Sequence, residues 1–206
     1  TVMYWIWRLA LLSSVLMLIA TGSRGAYLAV FVGYASAAIY LRHYLNMKQV
    51  FQYSVIAIVV AFISILGLIL YFPELLAGRF ESTTSGSLDT ASAGRVQIWM
   101  ATIKIMLEWP YSFLVGYGWN SSEFSGIWNG THSEYLGTLY ELGAVGLVFF
   151  CALLIRVITR VKKVLSTSQG TYRRILIGYT FGMFSVTVAI FFVLLPTTWS
   201  YIWAIT

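Results

Sequence analysis

Three residues of this sequence could do chemistry together. Arg24 stands between Ser23 and Gly25, Arg95 follows Gly94, and His132 lies in Thr131-His132-Ser133-Glu134. A guanidinium presents a planar fork of donors that suits phosphate oxygens, and small neighbours let an anion reach both it and the backbone. Arg95 opens a helical segment, where a cation opposes the helix dipole; its use there is to hold an anion at that same helix start. Thr131-His132-Ser133-Glu134 fits a capping box, with Thr131 as N-cap, Glu134 at N3 and His132 as the first helical residue. The positive end of such a helix favours the neutral imidazole, which can take a proton from a hydroxyl. Each residue also has a plainer reading. Arg24 is then a snorkelling cation at a helix end, Arg95 a solvated first-turn residue, and His132 a locally hydrogen-bonded side chain.

A second group surrounds these three. Glu141 lies inside an apolar run, where an ionised carboxylate is costly and must face a bundle or a cavity. It is seven residues from Glu134, hence on the same helix face, and reads either as structural or as part of the site. Gly143 and Gly146 are expected to allow close helix packing. Trp109, Tyr111, Phe113, Tyr117, Trp119, Phe124 and Trp128 form either an aromatic belt at a membrane surface or flat platforms for sugar rings.

The elements that must position these residues are membrane spans. The chain has 206 residues, 59% hydrophobic and 10% charged, with a mean hydropathy of +0.81. A soluble domain carries about 25% charged residues, so lipid must serve as solvent here. Cys151, the single cysteine, excludes an internal disulfide framework and a cysteine-rich metal site. Five segments approach the length of a span, roughly 4–22, 25–41, 51–72, 132–155 and 175–195. The expected fold class is therefore all-α, a polytopic transmembrane helix bundle of about five spans in one membrane domain, 1–206. Turn signals are few and no internal repeat is visible. The chain opens on Thr1 and is read as part of a longer protein.

Charge placement sets the orientation. The linker 42–48 carries Arg42, His43 and Lys48, and 156–174 carries six Lys and Arg and no acid. All seven acidic residues lie between Glu74 and Glu141, a stretch with three bases and a net charge of −4 (3 minus 7). Short basic loops mark the cytoplasmic side. Counting crossings from 42–48 places 73–131 outside and 156–174 inside, so both basic loops fit one topology. Arg24, Arg95 and His132 then share the outer face. The outer loop, 73–131, is too long for a plain connector. Residues 81–94 read as a mobile Ser/Thr/Gly loop. Residues 95–109 read as an amphipathic helix with Val96, Trp99, Ile103 and Met106 on its apolar face, and Pro110, Gly116 and Gly118 as turns. The two histidines, His43 and His132, fall on opposite sides of the membrane, which argues against a zinc site.

The ordered motifs resemble a known family. Thr21-Gly22-Ser23-Arg24-Gly25-Ala26, then Gly94-Arg95 with Ile98-Trp99, then Pro110 with Gly116-Tyr117-Gly118, then His132-Ser133-Glu134-Tyr135-Leu136 with Glu141-Leu142-Gly143 and Val145-Gly146 are similar to the successive elements of the O-antigen ligase/polymerase family. The match covers about residues 15–155. The resemblance implies a metal-independent, inverting glycosyltransferase of the bacterial inner membrane, with its site facing the periplasm. It implies no cofactor. The donor would be an undecaprenyl-pyrophosphate-linked glycan, the acceptor lipid A–core or a growing glycan. Arg24 and Arg95 would hold the pyrophosphate and His132 would be the general base. Tyr135, Trp119, Trp128 and Glu141 are further candidates for substrate contacts. Members of the family are usually longer, with more spans.

Two other readings compete. A protein O-oligosaccharyltransferase shares the domain type. A polysaccharide transporter or flippase would need paired ionisable residues near mid-membrane and broken helices; only Glu141 qualifies, and no span contains an internal proline. Membrane lipids are expected partners, and nucleic acid is not.

Overall fold

The structure is a computed structural model that describes residues 9, 13–18, 23–71, 92, 94–121 and 131–192. Every regular element among the described residues is a helix. They run α1 (Arg24–Tyr40), α2 (Met47–Tyr71), α3 (Arg95–Glu108), α4 (Ser112–Val115), α5 (Glu134–Leu165) and α6 (Gly170–Ala189). Residues 13–18 are also helical, inside the first apolar run. The serine/threonine-rich segment 81–91 lies outside the described residues.

α1 begins where Ser23, in extended conformation, accepts the Ala26 amide on its hydroxyl at 3.3 Å. Its packing stripe is made of small residues four apart: Gly25, Ala29, Gly33 and Ala37. Ala29 and Ala37 are buried, and a Cβ on Gly33 would run into the Ser185 backbone of α6. Small residues at this spacing let two helix backbones approach, the mode of association that works without a hydrophobic driving force in lipid. α1 and α6 are antiparallel. Gly25 abuts Phe192, Tyr34 packs on Phe181 at 4.8 Å, and the Arg173 guanidinium donates to the Tyr44 carbonyl at 3.2 Å.

α5 is 32 residues long and apolar enough to cross a membrane. The part after Gly143, residues 144–165, reaches roughly 33 Å at 1.5 Å per residue, enough for a hydrocarbon core. Residues 25–40 form a shorter apolar helix. α2 touches the rest of the described chain little. Its Ser54 hydroxyl donates to the Tyr34 hydroxyl at 3.3 Å, while Phe51, Ile58, Phe62, Leu70 and Tyr71 stand exposed along its length. Apolar surface this continuous calls for lipid or further protein.

The structure changes one expected boundary and one expected helix face. The stretch 156–174 is helical at both ends, because α5 continues to Leu165 and α6 starts at Gly170. The basic residues therefore sit on helix ends rather than in a loop, and Lys162 and Lys163 occupy the last turn of α5, where cations complement the dipole. The apolar face of α3 is also rotated from the one read in the sequence. Thr102 and Met106 are buried, with Ile98 and Ile105 packed beside them, whereas Val96 and Ile103 are exposed. Periodicity alone could not choose, because α3 is apolar on two adjoining stripes and only one meets α5.

Candidate active site

His132 does not open a helix. Its φ is 50°, in the left-handed region, and the N-cap is Ser133, whose hydroxyl accepts the Leu136 amide at 3.4 Å. The expected capping box, with Thr131 as N-cap and His132 as first helical residue, is thus shifted by two positions. The cause lies in what Thr131 does instead. Its carbonyl accepts the Trp99 indole N–H at 2.9 Å, and its hydroxyl donates to the Ser133 carbonyl at 2.8 Å. Thr131 and Ser133 are both buried, at 0% and 2% exposure, and hold a half-buried His132 between them. A non-glycine residue with positive φ persists where its surroundings over-determine it, and such residues gather at functional sites.

The start of α5 is fixed to the end of α6 by two hydrogen bonds. The Glu134 amide donates to the Ile190 carbonyl, and the Tyr135 hydroxyl to the Thr187 carbonyl, each at 2.8 Å. A helix N-terminus has spare donors and a C-terminus spare acceptors, so each end satisfies the other. Tyr135 therefore acts as a strut. Its ring packs against Phe150 at 5.8 Å and Phe191 at 6.3 Å.

Arg95 is the first residue of α3, after Gly94 at φ 75°, and is half-buried. Gly94 has no side chain with which to cap, and the Val96 amide instead donates to the Ser92 hydroxyl at 3.4 Å. Arg95, Thr102 and Met106 share a helix face, seven and four residues apart, and that face is the one packed on α5. One turn after Arg95, Trp99 meets Phe191 edge-on at 5.4 Å. Arg24 is the first residue of α1. Its neighbour Gly25 abuts Phe192, and Phe192 packs on Phe191 at 5.2 Å. The helix starts that carry Arg24 and Arg95, and the segment that carries His132, thus converge on the Phe191–Phe192 pair at one end of the bundle.

Below this end, α5 is broken. Gly143 has φ 68° and ψ −171°, a conformation essentially reserved for glycine. The break frees carbonyls that an unbroken helix would use, and the turn after α4 takes them up. The Tyr117 amide donates to the Tyr140 carbonyl and the Gly118 amide to the Glu141 carbonyl, each at 2.9 Å. Gly116, at φ 74° and ψ −177°, is strained in the same way. A Cβ on Gly116 would strike Glu141, and one on Gly143 would strike the Leu114 carbonyl. The two glycines interlock backbone to backbone. Tyr117 completes the joint by stacking on Tyr140 at 4.8 Å and donating its hydroxyl to the Ile105 carbonyl of α3 at 2.8 Å. The expected close packing at Gly143 is therefore against the α4 segment, and Gly146 faces Leu142 of its own helix.

Glu141 is half-buried two turns into α5, beside this joint. Trp119 is 82% exposed, Trp109 68% and Tyr111 82%, whereas Tyr117 is committed to the joint. Trp128 and Phe124 lie outside the described residues. What the sequence reading missed is the role of Trp99 as a donor to Thr131, of Phe191–Phe192 as the meeting point, and of the small-residue stripe on α1. Only the last had a sequence signal, its spacing of four.

Among the described residues the chain is all-helical, with one helix long and apolar enough to cross a membrane and several helix ends meeting at one end of the bundle. The O-antigen ligase family profile matches residues 9–151, more than half of the chain, and the chain belongs to that family. No curated protein and no solved structure matches it. Membership makes it a membrane-associated protein of the glycosyltransferase type that acts on a lipid-linked glycan.

Proposed function

We propose that this chain carries the catalytic end of an inverting, metal-independent membrane glycosyltransferase, moving a glycan from undecaprenyl pyrophosphate to an acceptor hydroxyl at the periplasmic face of the inner membrane. The observation that supports it most is the convergence on Phe191–Phe192 of two helix starts, which carry Arg24 and Arg95, and the segment that carries His132. His132 takes the proton of the acceptor hydroxyl. The oxygen attacks the anomeric carbon as the bond from that carbon to the pyrophosphate oxygen breaks. The bonding pair leaves on the pyrophosphate, whose growing charge Arg24 and Arg95 stabilise. Charge stabilisation of this kind is usually the largest catalytic contribution. The exposed Trp119 and Tyr111, with Trp128, offer ring faces to sugars, and Glu141 is a further candidate for substrate contact.

The five-span topology underlies this reading, with 73–131 periplasmic and 156–174 cytoplasmic. It is supported by the meeting of the two basic segments at one end of the bundle, where Arg173 reaches Tyr44 and Lys162 lies over the Tyr40 ring at 4.7 Å. One observation favours a transporter: the break in α5, since transporters use broken helices to hold ions. Here the Tyr140 and Glu141 carbonyls already accept backbone amides, which counts against that use.

Complementation of a strain lacking surface O-antigen tests the proposal. Arg24→Ala, Arg95→Ala and His132→Ala should each abolish glycan addition without loss of protein. On a lipopolysaccharide gel, bare core marks a ligase and a single repeat marks a polymerase. Full activity in His132→Ala would remove the base.

A further inference from the structure

Of the eight cations at the far end of the bundle, Lys48 and Arg174 stand near the starts of α2 and α6, and the other six fall into two sets. Arg42, Lys162 and Arg173 are engaged internally: the Arg42 Nε lies 3.3 Å from the His43 imidazole, Lys162 sits over Tyr40, and Arg173 holds the Tyr44 carbonyl. Arg156, Arg160 and Lys163 are not. All three are exposed, and among the described residues no hydrogen bond or ion pair engages their side chains. No acid lies between Arg156 and Arg174 in the sequence.

These three cations continue an apolar ridge. Val145, Phe149, Leu153, Arg156, Arg160 and Lys163 follow one another at steps of four and three, so they share one face of α5, and Thr167 lies in the turn just past its end. Val145, Phe149 and Leu153 are 49%, 73% and 44% exposed. Beyond them, Arg160, Lys163, Val164, Ser166 and Thr167 line a cavity of about 280 Å³ at the helix end. Going down the ridge, hydrocarbon surface gives way to three positive charges, two of which line the recess beside the Ser166 and Thr167 hydroxyls. Acyl chain followed by phosphate is the order of groups along a phospholipid. Placement of cations on the cytoplasmic side by the positive-inside tendency explains their presence but neither their shared face nor their lack of internal partners.

We propose that this ridge is a binding site for one anionic phospholipid of the inner leaflet, its acyl chains along Val145, Phe149 and Leu153 and its phosphate among Arg156, Arg160 and Lys163. Basic recesses at this level of a membrane protein suit anionic headgroups, and each cation adds to the attraction. The site is separate from the residues assigned to glycosyl transfer, and its inner-leaflet placement rests on the topology proposed above.

The test uses the purified full-length protein in neutral detergent, with phosphatidylglycerol and phosphatidylcholine as probes and native mass spectrometry as the readout. Wild type should retain one phosphatidylglycerol in preference to phosphatidylcholine. The triple variant Arg156→Gln, Arg160→Gln, Lys163→Gln should bind it about a hundredfold more weakly. The charge-matched variant Arg42→Gln, Lys162→Gln, Arg173→Gln, from the internally engaged set, should keep most of the binding. Equal losses in the two triples would overturn the site in favour of bulk charge. Displacement by soluble glycerol phosphate at similar concentration would also overturn it, because the acyl ridge would then contribute nothing. If the first triple fails to accumulate, wild type alone decides: no preference for phosphatidylglycerol means that the ridge is covered by other protein or unused.

Discussion

The two ends of this helix bundle are held together by different physics. At the end around Phe191 and Phe192, loops and helix ends are fixed by hydrogen bonds to backbone carbonyls: Trp99 to Thr131, Glu134 to Ile190, Tyr135 to Thr187, Tyr117 to Ile105. Six described residues of the same region, Gly94, Gly116, Gly118, Asn120, His132 and Gly143, take positive φ, against Gly170 at the basic end. At the basic end, cations lie over rings, only Arg173 to Tyr44 and Tyr40 to Ile158 are side-chain bonds between elements among the described residues, and the turn at 166–169 is short. Backbone-directed bonds and strain fix position to a fraction of an ångström, as chemistry requires. Long cationic side chains on helix ends tolerate adjustment, as anchoring requires. Substitutions at the two ends should accordingly fail in different ways.

The largest effect is expected at His132. If it is the general base, His132→Ala lowers turnover by about 100- to 10,000-fold, with membrane levels and melting temperature near wild type. A folded protein with unchanged transfer would place the first end on the same structural footing as the second.

Next comes the glycine joint. Gly143→Ala and Gly116→Ala each force a Cβ into backbone at a φ that L-residues avoid. Loss of a few kcal/mol of stability is expected, on the order of the largest single-substitution effects. Thermal denaturation in detergent reads this directly. Gly33→Ala on α1, where the obstacle is the Ser185 backbone but φ is ordinary, should cost less. An equal cost would mean that close packing, not strain, limits both ends.

These joints also mark where the sequence stopped being legible. Apolar runs were enough to expect helices at 25–41, 51–72, 132–155 and 175–195, and helices overlap each of these, though α5 runs ten residues further, because an apolar pattern is written in composition. The local geometry at His132 was not, because Thr131 and Ser133 are both good N-caps and the choice between them is made by Trp99, over thirty residues away. The break at Gly143 was missed for a similar reason. Proline was taken as the breaker, but a glycine in a helix breaks only when another backbone, here Leu114 to Gly118, takes its place and satisfies the freed carbonyls. The Gly116-Tyr117-Gly118 and Glu141-Leu142-Gly143 motifs were each visible, whereas their contact with one another is a tertiary fact. Trp119 and Trp128, read as sugar platforms, rest on side-chain type alone.

A subtler test separates position from bulk. Trp99→Phe keeps an aromatic ring against Phe191 and deletes only the N–H that holds the Thr131 carbonyl. A buried acceptor left unpaired costs about 1–3 kcal/mol. If that bond sets the conformation of His132, turnover should fall by roughly tenfold or more, with the donor KM little changed and Trp99→Phe protein still abundant. A matched rise in KM with turnover intact would instead assign Trp99 to donor binding.

The smallest effect is predicted at the basic end. Tyr40→Phe removes the hydroxyl that donates to the Ile158 carbonyl at 3.3 Å but keeps the ring under Lys162 and against Phe184. The Ile158 carbonyl also lies within the α5 helix, so it is not orphaned by the change. Stability should drop by about 1 kcal/mol or less, and transfer should stay within twofold of wild type. This is the control that gives the comparison its force. Both Trp99→Phe and Tyr40→Phe delete one donor to one backbone carbonyl, and only the first carbonyl belongs to the residue preceding His132. A similar loss of turnover in both would mean that the bundle responds as a whole and that the two ends are not separately built.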